Sequence, residues 1–194
     1  MKTTFDAIMK YNPCQAGINE FTKKSGKTSG EVSFAEILES NGILDALWCL
    51  RVLSNYHPAV MKFNLLCARR VEHLITTGKA KKFLDVLEMY LDGEASKKEL
   101  ENAAALAALA ADAANAHAAS VYTVATANAD TYATYATKYA AAVNAAYAAS
   151  ATAYATTAAP AALVAGAAAN ASADAYAERE YQIKIFIEIF CKEE

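Results

Sequence analysis

The chain carries few groups that could do chemistry, and their spacing argues against most of it. Gly26-Lys27-Thr28 matches the last three positions of a phosphate-binding loop, in which backbone amides cradle phosphate and the lysine reaches its outer oxygens. That motif needs a strand ahead of it and a glycine five positions before Gly26, where Phe21 stands. His57, His73 and His117 share no metal-ligand spacing, and no His-Glu-x-x-His occurs. Cys67 and His73, six residues apart, fall on different sides of one helix, which argues against a nucleophile with its base. Cys14, Cys49, Cys67 and Cys191 form no Cys-x-x-Cys pair and sit mostly in apolar helical patterns. They are expected as buried free thiols rather than metal ligands or disulfides. The expectation is a chain with no catalytic residue, no cofactor and no metal, and so not an enzyme.

The remaining polar candidates suit contact better than turnover. Arg69, Arg70 and Glu72 are expected to pair locally or with Asp85 or Glu88 on the next helix, as weakly stabilising ion pairs. Lys23, Lys24 and Lys27, like Lys79, Lys81 and Lys82, read as solvated charge, with a small anion as the sharper alternative. Tyr132, Tyr135, Tyr139, Tyr147 and Tyr154 fall with Val143 and Ala151 on one face. Their repeat of 11 residues, from Tyr132 through Val143 to Tyr154, keeps the stripe nearly straight along an unsupercoiled helix. The rings either pack on leucine-rich helices with their hydroxyls at the rim, or form a partner-binding or base-stacking ridge. These five tyrosines are the candidate binding residues.

The elements that position them follow from composition. The 194 residues are 55% apolar and 20% charged with a net charge of -3, as in a folded domain of ordinary size. From 103 to 177 only Lys138 opposes Asp112, Asp130 and Asp174, and about half of the residues are alanine. With no basic face, direct nucleic-acid binding is disfavoured, and three carboxylates in that tract are too few to imitate DNA. No apolar segment of signal-peptide type follows Met1 to Asp6, so a cytoplasmic location is expected, and Asn170-Ala171-Ser172 is a chance glycosylation sequon. Polar residues interrupt the alanine tract too often for a membrane span.

Thr3-Thr4-Phe5-Asp6 opens a short helix to about Lys10, and Asn12-Pro13 starts another with proline at its first position. Lys23 to Gly30 reads as a loop. Ser33-Phe34-Ala35-Glu36 is a capping box, Asn41-Gly42 a stop, and Ile43 to Leu53 an apolar helix. After His57-Pro58, a stripe from Val60 through Phe63, Cys67 and Val71 to Leu74 marks a helix that Gly78 closes. Phe83, Leu84, Leu87 and Leu91 mark the next, capped by Gly93. Ser96-Lys97-Lys98-Glu99 launches the alanine tract, which is helical by propensity. As one rod it would extend on the order of 95 Å, so breaks are expected at Asn128 to Thr131 and at Pro160. The tail from Tyr181 to Phe190 has isoleucine at every second position, as a strand would, but it reads as helix because no other strand is available to pair with it.

The fold class that follows is all-α, with short N-terminal helices packed on long Ala-rich helices in a helical bundle. Residues 1–102 hold the short amphipathic helices and 103–194 the Ala/Tyr-rich region, together one compact domain. Trp48, Phe63 and Leu87 are expected core anchors, and a buried Trp48 would cost ~3–5 kcal/mol on replacement by alanine. An uncharged alanine surface suits permanent exposure poorly, which leads to an expectation of self-association or a covering protein partner.

Two resemblances bear on function. Thr123 with Thr134, and Thr126 with Thr137, repeat at 11 residues in a face that resembles alanine-rich fish antifreeze helices, but the tyrosine stripe and amphipathic first half are foreign to that family. The order of features is similar to alanine-rich helical prophage proteins of the immunity-protein type. The segments that carry it are Pro13-Cys14-Gln15-Ala16-Gly17, Leu47-Trp48-Cys49-Leu50-Arg51, Cys67 to Leu74, Tyr90 to Leu100 and the Ala and Tyr tract. This resemblance implies an accessory gene of a phage or mobile element. Its product would act by binding, either as an inhibitor of a bacterial defence complex in the manner of anti-CRISPR proteins, or as an immunity protein against one toxin. A sponge for a nucleotide signal, using tyrosine rings and loop lysines, is the third expectation.

Overall fold

A computed structural model describes residues 1–53, 57–75, 78–107 and 175–192. Tyr132, Tyr135, Tyr139, Tyr147 and Tyr154, with the helix breaks expected near Asn128 and Pro160, lie outside the described residues. The architecture is all-α with one small sheet. No helix among the described residues is long and apolar enough to cross a membrane.

The chain begins with a small sheet, which corrects the expectation of helices alone. Strands β1 (Lys2–Thr4) and β2 (Glu31–Ser33) pair antiparallel, with Thr3 opposite Val32, where the sequence was read as helix start and loop with no strand. Each strand runs straight into a helix, and its last residue is that helix's cap. Thr4 accepts the Ala7 amide at 3.1 Å to start α1 (Phe5–Met9). Ser33 accepts the Glu36 amide at 3.1 Å while Glu36 accepts the Ser33 amide at 2.8 Å, completing the expected capping box of α3 (Phe34–Asn41). The two-strand ladder thereby fixes where both helices start, and Val32 between them is fully buried. Lys27 also bonds Glu36, which holds that carboxyl below the usual range.

Helix α2 (Gln15–Ser25) occupies part of the span read as a loop. Pro13 precedes its cap rather than opening it, and Cys14 is the N-cap, its Sγ accepting the Gly17 amide at 3.4 Å. Cys14 is exposed, not buried as expected; Cys49 and Cys67 are buried and Cys191 partly so, all as free thiols. Asn12 takes a left-handed φ of 52°, which asparagine tolerates, and turns the chain sharply between α1 and α2.

Gly42, at φ 81°, ends α3 and begins α4 (Ile43–Cys49), which continues as a 3-10 turn, Leu50–Val52. Pro58 opens α5 (Pro58–Arg70), with the His57 ring nitrogen accepting the Ala59 amide at 3.3 Å. The stripe read as one helix through Leu74 breaks at Val71 into a 3-10 turn, Glu72–Leu74. Gly78 opens α6 (Gly78–Leu91) instead of closing α5. Past α6, the Glu94 amide reaches Met89 O at 2.7 Å and the Gly93 amide reaches Tyr90 O at 3.2 Å, a Schellman closure with Gly93 left-handed at φ 80° as expected. Ser96 and Glu99 exchange bonds as a second capping box for α7, residues 97–107.

The tail is helical as expected, α8 (Ala175–Phe186) passing into a π-helical turn, Ile187–Cys191. Among the described residues the chain does hold two strands, contrary to expectation, but they pair with each other and leave none to the tail. Phe186 and Phe190, with centroids 4.9 Å apart, insert between Phe34 of α3 and Phe63 of α5 at 5.9–6.4 Å. All four rings are fully buried. Described residues from both sides of position 102 therefore share one core, and the Met1 ammonium donates to Phe190 O at 2.8 Å.

Arg69 realises the expected ion pairs, meeting Glu72 at 2.9 Å and Asp85 and Glu88 at 2.8 Å each. Burial disfavours its charge, but the hydrogen bonds to Asp85, Glu72 and Glu88 outweigh burial and push its pKa up. Arg69→Gln should cost ~1 kcal/mol, since two of the three carboxylates are well exposed and screened. The difference between variant and wild type should shrink in high salt, and a salt-independent difference in urea midpoint would contradict this.

Candidate functional site

The helix pairs at the N-terminal end enclose an apolar cleft of about 280 Å³. Helix α1 supplies Phe5, Ile8 and Met9, and α2 supplies Ile18 and Phe21. Ile37 of α3 forms the inner wall, and Trp48 and Cys49 of α4 complete it. These side chains converge because α1 and α3 leave the same two-stranded ladder, while the chain reverses at Asn12-Pro13 so that α2 packs on α3 and Phe21 meets Phe5 of α1 at 6.2 Å. Met9 is 39% exposed, so apolar surface continues outward from the lining.

Polar atoms gather where α2 starts and α3 meets α4. The Asn41 amide donates to Gly17 O at 2.9 Å and to Asp45 Oδ2 at 2.8 Å, and its own Oδ1 accepts from Ser40 at 2.7 Å. Gly17 packs close to this corner, and a side chain on it would make Asp45 give by a few tenths of an ångström. A Cβ on it would stand 3.2 Å from Asp45 Oδ2 and 3.4 Å from Cys14 Sγ. Asp45, Asn41, Cys14 and Gly17 thus form a polar corner in an otherwise apolar cleft. Sequence reading missed this set. Asn41 was legible only as a helix stop, Asp45 carried no signal of its own, and nothing local says that they meet Gly17.

Trp48, expected as a core anchor, is half-buried in the cleft wall. The Arg51 guanidinium lies 3.9 Å from its ring centroid and donates to Trp48 O at 2.9 Å. Because Trp48 leaves part of its surface in water, Trp48→Ala should cost about 2 kcal/mol rather than the core value. A drop of more than twice that in denaturant unfolding would show that the indole carries core packing.

The other sequence candidates are not brought to the cleft. Lys27 donates to Glu31 O at 3.1 Å and pairs with Glu36, and Lys24 bonds Glu20 and Ser40 O. The Gly26-Lys27-Thr28 turn leads into a strand instead of following one. Cys67 is fully buried whereas His73 is exposed on the following turn, so the two form no pair. Among the described residues no group of three or more His, Cys, Asp or Glu is placed to hold a metal ion.

Neither buried thiol is a nucleophile near neutral pH. Burial, with a smaller contribution from Asp45, pushes Cys49 up to about 12, and burial pushes Cys67 well above its ordinary value. Because these folded-state values are raised, the stability they confer is complete below the unfolded value near 9 and is lost as pH rises. At pH 10 each buried thiol should subtract ~1 kcal/mol relative to pH 8. Urea unfolding at the two pH values checks this, and Cys49→Ala should flatten the fall; an unchanged slope would refute it. No protein-family model, curated protein or solved structure matches the chain.

Proposed function

We propose that the chain is a non-enzymatic interaction protein that inhibits a larger protein by occupying its surface, and that the cleft receives a side chain of that partner. The observation that carries this reading is the cleft itself. It is an open apolar cavity with one polar corner, continuous with exposed Met9, and such concave apolar sites with few polar groups are the usual anchor points of recognition. The partner class follows from the resemblance to prophage accessory proteins: a bacterial defence complex in the cytoplasm, blocked in the manner of anti-CRISPR proteins.

An immunity protein against one toxin is the second reading. It is favoured by the fact that two segments behind the resemblance, Pro13 to Gly17 and Leu47 to Arg51, meet at this cleft through Pro13, Cys14, Gly17, Trp48 and Cys49. The nucleotide-sponge reading loses support, since Lys24 and Lys27 are already engaged by Glu20 and Glu36.

Affinity capture from the host followed by mass spectrometry tests the proposal. Wild type should retain a defined partner whose activity falls when the chain is added, and Met9→Asp should lose it while melting unchanged. A multisubunit nuclease complex supports the first reading and a single toxin the second. No partner with either protein, or a partner whose activity is unaffected, would overturn both.

A further inference from the structure

Resting on the partner-binding reading, we infer that the cleft selects a positively charged anchor, a lysine or arginine side chain of the partner, with Asp45 as its counter-ion. Asp45 is the sole carboxylate among the lining residues, which include no lysine, arginine or histidine. It is half-buried, and among the described residues no cation pairs with it. Its hydrogen bond from Asn41 is to a neutral amide that is itself held by Gly17 O and Ser40. Arg51, on the 3-10 turn that continues α4, stacks on Trp48.

The cleft's size and walls suit such an anchor. A cavity of about 280 Å³ is many times the space one water needs and is room for one large side chain. Lysine and arginine lay an apolar stem along apolar walls and keep the charged head at a polar group. Here the walls are Phe5, Ile8, Phe21 and Trp48, and the polar group is the Asp45–Asn41 corner. Aromatic walls add attraction for a cation, which the contact of Arg51 with Trp48 already illustrates. A purely aliphatic anchor would strip water from the Asp45 carboxylate without replacing its charge, and an acidic anchor would be repelled. The bland role of Asp45, favouring the first turn of α4, accounts for an acid at this position but predicts no preference among ligands.

The probes are n-pentylamine, n-pentanol and pentanoate, which share a lysine-like stem and differ in charge. Trp48 is the only tryptophan of the chain, so its fluorescence and its indole N–H resonance report on the cleft, and exposed Cys14 reports occupancy through protection from iodoacetamide. Pentylamine should bind about tenfold more tightly than pentanol, with pentanoate weakest, and should slow Cys14 alkylation. Asp45→Asn, which keeps the shape and the bond from Asn41, should reduce the amine's advantage to about twofold and leave pentanol unchanged. Equal binding of amine and alcohol, an advantage that survives Asp45→Asn, or no response of Trp48 to any probe would overturn the inference.

The two levels fail separately. A captured partner lost on Met9→Asp but without the amine preference leaves the partner reading standing and removes the charge rule. A complex in which Cys14 alkylates as in the free chain, while the amine preference holds in isolation, shows that the partner docks elsewhere and that the cleft serves a small free amine.

Discussion

Replacing Phe186 by alanine should lower the unfolding free energy by ~3–5 kcal/mol, the largest effect expected of any single substitution here. Phe186 is fully buried and touches Phe34, Phe63 and Phe190 at centroid distances of 4.9–6.4 Å. It therefore joins three segments far apart in sequence, and its loss leaves a void that the remaining rings cannot all move to fill. Since domains of this size have ~5–15 kcal/mol of stability in total, the variant should unfold at a markedly lower urea concentration. Limited proteolysis should cut near α8 first, because the tail loses its main anchor. Phe186→Leu, which restores most of the volume, should recover more than half of the loss. A midpoint for Phe186→Ala within experimental error of wild type would show that the tail does not hold the core together.

The second large effect is expected at Arg70. Glu178 of α8 is 1% exposed as a side chain, and Arg70 Nε of α5 meets its carboxylate at 3.3 Å. Gln182 donates to the same carboxylate at 3.1 Å, and the Arg70 guanidinium also lies 4.6 Å from the Tyr181 ring centroid. Arg70→Met keeps the stem but leaves a buried carboxylate without its cation, which should cost ~2–3 kcal/mol. This is below the ~3–5 kcal/mol of a fully buried pair because Arg70 is itself half in water. Adding Glu178→Gln should recover most of the loss by removing the stranded charge. Double-mutant unfolding measures this, and strictly additive losses would mean that the two side chains do not interact.

Both predictions depend on contacts that the sequence did not disclose. Arg70 was legible as a partner for neighbouring acids, and Arg69 does meet Glu72, Asp85 and Glu88, which lie within two turns of it or on the next helix. Glu178 is 108 positions from Arg70, and no local pattern links them. The cleft shows the same division. Trp48 of its wall was legible within an apolar helix, but Phe5, Ile8, Ile18 and Phe21 were not read as one face, and the polar corner joins Cys14 and Gly17 to Asn41 and Asp45 through a chain reversal.

What the sequence by itself determined was the local grammar. Ser33 with Glu36, Ser96 with Glu99, Pro58 at a first turn and Gly93 at a last one each act within one helical turn, so the all-α class and several helix ends were readable. The pairing of β1 with β2, the cap at Cys14, the break at Val71 and the opening of α6 at Gly78 were decided by tertiary structure. Three-residue strands and single helix turns have too little intrinsic preference to form alone. They exist because the buried rings of Phe34, Phe63, Phe186 and Phe190 bring distant backbone together, and that free energy belongs to the assembled core.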